Sequence, residues 1–448
     1  SLSEVGRWPW SRDVVANLIV ELTDKLGAAV VSFDIVFAEP QQSDALLALD
    51  SIASKSPALG NELKGMRASI QSQFDRDAQL AKVLVDRPVV LGYYLNQDST
   101  ALSGALPPAL FKKSQLGTLS LDSTSWQGYG ANIPVLQRNA EGGYFNPIVD
   151  EDGTVRSIPL LAQVNDAYYQ SFALATLRRA LGNPQVIPVF PEGVDDDYGA
   201  VELIALRSPD VELDIPVERG LLTRVHFRAK GGPNAGGYRY VSAADVLAGA
   251  LKPEDIEGRI VLVGTTAPGL LDLRSTPVNP AYPGVEVHAN VISGMLDSAY
   301  KLRPEFSQGL LFVTVLVVGT ILSLTMPILS ATWSLLVALA VLVLSVVINS
   351  LLYFQAGLVL PVAVVLLLVF GVILRKAFCQ PRNVFKGQRC ARLQEGCRDL
   401  QLRDIFERWN LREQVVAGKG GGDAGCSAGR HGNCAAKYND FNAWQCHR

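Results

Sequence analysis

Hydrophobic positions along the chain fall into three kinds of pattern. In "SRDVVANLIVELTDKLG" (11–27), Val14, Val15, Leu18, Ile19, Leu22 and Leu26 recur at helical spacing. That spacing predicts an amphipathic helix capped at Ser11 and closed at Gly27. "AAVVSFDIVF" (28–37) and "RIVLVG" (259–264) are continuous apolar runs instead, the pattern of strands covered on both faces in a parallel sheet. "VEVHANVISGML" (285–296) reads as a strand passing into a helix, and "YQSFALATLRRALG" (169–182) as another helix. Residues 185–240 are broken by Pro and Gly and read as short strands and loops. Helices alternating with buried strands predict an α/β domain on a mixed or parallel sheet.

The third pattern is unbroken hydrophobicity. "GLLFVTVLVVGTILSLTM" (309–326), "TWSLLVALAVLVLSVVINSLLYF" (332–354) and "AGLVLPVAVVLLLVFGVIL" (356–374) contain no charged residue. Each is long enough to cross a hydrocarbon core as a helix, which takes roughly 18–20 residues. Pro361 inside the third run is tolerable where neighbouring helices satisfy the freed carbonyl. The expected organisation is therefore a domain over 1–300, an all-α bundle of three transmembrane helices over 309–374, and a tail over 375–448.

Charge and cysteine add an orientation. The net charge of −3 hides a basic tail, because residues 375–448 carry 14 Lys+Arg against 7 Asp+Glu. The remaining body is acidic, which argues against nucleic acid as a partner. All six cysteines lie in the tail, so body and tail read as occupying compartments of different redox state. Arg375, Lys376, Arg382, Lys386 and Arg389 follow the last span, while only Lys301 and Arg303 closely precede the first. The positive-inside rule then puts the tail in the cytoplasm and residues 1–308 outside. Export of so large a domain needs a leading helix or signal, and "SLSEVGRWPW" is neither, so an N-terminal membrane helix is expected ahead of it.

Four stretches carry a resemblance. They are "GRWPWSRDVVANLIVELTDKLGAAVVSFDIVFAEP" (6–40), "GYFNPIVDEDGTVRSIPL" (143–160), "VSAADVLAG" (241–249) and "GRIVLVGTTAPGLLDLRSTPVNPAYPGVEVHANVISGML" (258–296). Together they resemble the CHASE type 2 domain, an extracytoplasmic sensory module of bacterial receptors, and the last stretch is the most specific. The resemblance implies one membrane helix before the domain, three after it, and a cytoplasmic cyclase or kinase output. It implies a multi-pass protein of the bacterial inner membrane with residues 1–308 periplasmic. The expected partners are an unknown small-molecule or protein signal, membrane lipid, and a second copy in a homodimer.

Candidate chemistry is sparse. Asp34 falls near the carboxyl end of the first predicted strand with Glu39 in the loop beyond it, and Asp272 and His288 flank the loop after the second strand. Ligands bind open α/β sheets outside that end, so these four are the candidate ligand-binding residues. The competing reading gives Asp34 a loop cap and His288 a role satisfying backbone groups. No H-E-x-x-H, paired helical His or G-x-S-x-G occurs, and "GTTAPG" lacks the end of a P-loop. No catalytic residue, metal or cofactor is therefore expected. "DEDGTVR" (150–156) starts like a calcium loop but reads better as an Asp-Gly turn between strands. Trp8 and Trp10 read as an anchor of the first helix.

The tail does not resemble an output domain. "LQEGCRDLQLRDIFERWNLREQVV" (393–416) reads as a juxtamembrane helix, and the glycine-rich remainder as disordered. Cys426, His431, Cys434, Cys446 and His447 lack standard zinc-finger spacing. The abrupt change near residue 378 also suggests a shifted reading frame. The chain is thus expected to be the sensory portion of a transmembrane receptor without catalytic activity. The alternatives are a membrane-anchored periplasmic enzyme using Asp34, Asp272 and His288, and a stand-alone interaction protein.

Overall fold

The computed structural model describes residues 2–379 apart from 7, 42, most of 56–73, 117–120, 192–200, 266–271, 305–306, 326–327 and 361–362. The chain divides into compact units over Ser1–Ile373 and Leu374–Arg448. The readings made for the tail beyond Cys379, and most of "GTTAPG", lie outside the described residues.

The central six-stranded sheet is built from β1 (Val30–Phe33), β2 (Val89–Asn96), β3 (Gly128–Gly130), β4 (Glu141–Tyr144) and β5 (Ile260–Val263), with the two-residue strand Leu102–Ser103 at its edge beside β3. β1 lies between β5 and β2 and runs parallel to both, with Val31 opposite Val261 on one side and Val89 on the other. β2 is long enough to pair twice, with β4 in parallel along its first half and with β3 antiparallel along its second. The sheet is mixed, with four parallel strands at its centre.

Alternation along β1 sorts its side chains between two helical layers, as a period of two requires. Val31 and Phe33 join a core with Val15, Leu18, Ile19, Leu22, Leu80 and Leu84. Those residues come from α1 (Arg12–Val20), its continuation, and α2 (Arg76–Leu84). Val30 packs instead with Phe172 and Ala175 of α3 (Phe172–Ala180). Ser32, on that same face, accepts a 2.9 Å hydrogen bond from Thr176. Two later helices of the domain are α4 (Ala243–Leu247), beside α1, and α5 (Gly284–Leu296), beside α3. Smaller sheets cover the α3–α5 side, including an antiparallel one of Gln185–Val189, Leu203–Ser208 and Val211–Pro216.

Several sequence expectations need correction. The helix over 11–27 is α-helical only to Val20 and continues as a π-turn over Glu21–Lys25. There the Thr23 hydroxyl donates to the Ile19 carbonyl at 2.8 Å, and Leu26 N reaches back to Glu21 O. Ser11 caps with its backbone, while its hydroxyl turns to Asp13. β5 packs on both faces as expected, Val261 and Val263 on the α1 side and Ile260 and Leu262 on the α3 side, but it is only half-buried because it is the sheet edge. The segment 285–296 is helix throughout, and 167–170 is strand, so α3 starts only after its Ser171 cap. Residues 150–156 do form the predicted turn between strands, with Gly153 at φ +77°.

Beyond the domain come α6 (Ser307–Thr325), α7 (Ala331–Gln355) and α8 (Ala363–Cys379). The first two are long and apolar enough to cross a membrane, with mean hydropathy of 2.0 and 2.8. The third is 17 residues long.

Candidate functional site

The sheet opens a crevice at the carboxyl ends of β1 and β5. After β1 the chain leaves for α2, on the α1 face, whereas after β5 it leaves for α5, on the α3 face. Where neighbouring parallel strands send their connections to opposite faces, the ends of those strands stay uncovered.

Asp34 stands at this point, its N–H extending the ladder by a 2.9 Å bond to Val263 O. Loss of hydration first, and then nearby Asp272, push its carboxyl up to about 7 against the opposing charge of Arg274. Asp272 and Arg274 form an ion pair at 2.8 Å. A short antiparallel ribbon, Leu273–Arg274 against Tyr282–Pro283, ties that pair to the start of α5. Gly284 N donates to Asp272 O at 2.7 Å. One turn along α5, His288 is buried, with its ring edge-on to Phe172 at 5.1 Å between centroids. Its Nδ1 has no hydrogen-bond partner among the described residues, contrary to the expectation that His288 satisfies backbone groups. Burial first, and then the Arg274 charge, lower its pKa to about 3, so the imidazole is neutral.

Asp272, Arg274, Gly284, His288, Phe145 and Ile158 line a cavity of about 10 Å³. That is room for a single water. The crevice thus gathers Asp34, Asp272 and His288 and adds Arg274, a residue not weighed from sequence. Glu39 stands apart from this cavity. Its side chain is exposed, and its carbonyl accepts from Arg12 at 2.9 Å, where Arg12 also pairs with Asp77 at 3.0 Å.

The opposite face of α5 carries a second polar group that sequence reasoning passed over. Buried Glu286 accepts from Gly232 N–H and Tyr240 O–H, both at 2.7 Å, and from Tyr282 O–H at 3.3 Å. Buried Asn290 donates to Tyr282 at 2.7 Å and accepts from Arg228 N–H at 3.0 Å. With these partners the network pins the 228–240 loop to the helix, and most of its acceptor sites are spent on that task. Its signal was the i, i+4 spacing of Glu286 and Asn290 in an otherwise apolar helix.

The described residues include no group of three or more His, Cys, Asp or Glu placed to hold a metal. In the calcium-like turn, Asp150 and Asp152 both engage Arg156, at 2.7 Å each.

A family model, the CHASE2 domain, matches residues 1–324. The chain belongs to the CHASE2 domain family. CHASE2 domains are extracytoplasmic and sensory rather than catalytic. The match runs past the expected boundary at 300 and takes in nearly all of α6. No curated protein and no solved structure matches the chain.

Gly284 is the pivot of the CHASE2 crevice. A Cβ there would lie 2.2 Å from Asp272 Oδ2, so the carboxylate can approach α5 only because that atom is missing. Gly284→Ala is expected to expel Asp272 and to lower stability by about 1–3 kcal/mol. With the neighbouring anion gone, Asp34 should then titrate lower, a change readable by carboxyl NMR. An unchanged Asp34 titration would show that Asp272 does not set it.

Proposed function

We propose that this CHASE2 protein is the sensory and membrane portion of a bacterial receptor. Its domain senses a signal in the periplasm, through the crevice of Asp34, Asp272, Arg274 and His288. The observation that carries this reading is the crevice itself: it holds a half-buried carboxyl, an ion pair and an unpartnered buried imidazole within a sensory domain. Such groups respond strongly to what fills the space between them. A signal transmits only if it binds two conformations unequally, and a cavity sized for one water leaves any larger ligand no choice but to open it.

The reading extends to three helices crossing the inner membrane, a cytoplasmic tail, and a cyclase- or kinase-type output driven by a homodimer. Support for the bundle comes from Leu322, Ala338 and Val369, one from each helix, which bury one another. Around that contact the helices present Phe312, Leu324, Phe354 and Leu367 outward, each at least 66% exposed. Such apolar surface suits lipid and not water. A reporter fused after Asp297 should be periplasmic, and one fused after Lys376 cytoplasmic, when the chain is expressed behind an export signal. Both reporters on one side of the membrane would refute the arrangement.

A further inference from the structure

A second cavity, of about 580 Å³, lies where the domain meets the apolar helices. Its walls are Asp150, Glu151, Asp152 and Arg156 of the domain hairpin, Arg224, Arg303 of the segment entering α6, and Val359 and Leu360 after α7. The segments at its base are joined: Leu302 N donates to Gly357 O and Val359 N to Leu302 O, both at 2.9 Å. The volume falls within the range of small-ligand sites.

Most charges around this collar are already paired. Arg156 is held by Asp150 and Asp152. Arg224 is held by both oxygens of Glu218, at 2.6 and 3.0 Å, and the same carboxylate accepts the Arg303 N–H at 2.6 Å. Lys301 donates to Tyr353 O at 2.7 Å and sits over that ring. Two side chains are left: the Arg303 guanidinium and the Glu151 carboxylate. Both are exposed, and neither pairs with an oppositely charged group, or with the other, among the described residues. Among the described residues the cavity therefore presents one free cation and one free anion beside the aliphatic edge of Val359 and Leu360.

We propose that this cavity binds the head group of a zwitterionic, primary-amine phospholipid of the surrounding membrane. The phosphate sits on Arg303 and the ammonium on Glu151, while the acyl chains run along the apolar helices below Leu360. The proposal rests on the membrane-spanning reading above. A guanidinium binds phosphate with two parallel donors, and a carboxylate accepts hydrogen bonds from a primary ammonium but none from a quaternary one. The lipid would touch the linker between domain and helices, where Glu218 already grips Arg303.

The test uses the full chain purified in detergent, with retained lipid counted by native mass spectrometry. Equal amounts of phosphatidylethanolamine, phosphatidylcholine and phosphatidylglycerol of one chain length are offered. Phosphatidylethanolamine should be retained preferentially. Arg303→Ala should weaken its retention roughly tenfold, the order expected for one charge-assisted contact. Glu151→Gln should erase the preference over phosphatidylglycerol while circular dichroism stays unchanged. Equal retention of the three lipids, or indifference to Arg303→Ala, would overturn the proposal. So would full competition by soluble glycerophosphoethanolamine at equal concentration, which would make the ligand a solute. Extraction of the chain from membranes by alkaline carbonate would overturn the membrane reading as well, whereas a chain that stays embedded and retains lipid without preference overturns this proposal alone.

Discussion

Gly143→Ala should lower the melting temperature of the protein by roughly 6–10 °C. Gly143 lies in β4 directly beneath α3, and a Cβ there would stand 2.5 Å from Phe172 Cα and 2.8 Å from Phe172 N. Both are backbone atoms, so no rotamer relieves the clash and the whole helix must lift. Lifting it would pull Phe172 and Ala175 from their packing on Val30 and Val90. The cost falls at the upper end for overpacking, about 3 kcal/mol. Gly371→Ala is the control, since nothing lies within 4 Å of the added atom. Thermal unfolding of both variants checks this. A drop for Gly143→Ala no larger than the control's would mean that α3 is loosely seated.

The second large effect is a pair of opposed pH dependences hidden in the wild type. The Asp34 carboxyl is raised from 3.8 to about 7, so the folded protein holds a proton that the unfolded chain has lost. Its contribution to stability is present at low pH and disappears as pH rises through that window. His288 is lowered from 6.5 to about 3, so the unfolded chain takes up a proton that the folded one refuses. Its contribution is present above that ordinary value and is lost as pH falls. Each amounts to roughly 2–4 kcal/mol over its full range. Between about pH 4 and 6.5 the two slopes oppose one another, and the wild type should change little.

Single substitutions should uncover them. Asp34→Asn leaves the histidine slope, so its urea midpoint should climb between about pH 4.5 and 6.5. His288→Leu leaves the carboxyl slope, so its midpoint should fall from about pH 4.5 to 7.5. Leucine keeps the packing against Phe172 and abandons only an unpartnered nitrogen. If both variants keep the wild-type profile, neither group is desolvated as the crevice implies.

Helical periodicity in 11–27 and the apolar run around β1 were legible because each encodes a face, or two faces, within one segment. The segment 285–296 misled for the same reason. "VEVH" alternates like a strand, yet Val287, Val291 and Met295 point to the core while Glu286 and Asn290 hold the 228–240 loop, spacings only a helix satisfies. The half-burial of β5 could not be read at all, since being an edge is a property of neighbours.

The candidate site divides similarly. Asp34 and Asp272 were legible from their places after apolar strands. Arg274 was not, because nothing local marks it as the partner of Asp272 and the electrostatic neighbour of His288. Glu39 follows the same strand as Asp34, but its segment turns to Arg12, which binds the Glu39 carbonyl.

The sequence by itself determined the alternation of helices and strands, the apolar helices, and the CHASE2 family. All of these are written as periods, lengths and motifs along one stretch of chain. Only the tertiary structure decided that Asp34 would meet Asp272 and Arg274, that His288 would face away from the Glu286–Asn290 network, and that Arg303 and Glu151 would share a cavity. Burial, desolvation and the distance between charges are sums over segments far apart in the chain, so no local pattern carries them.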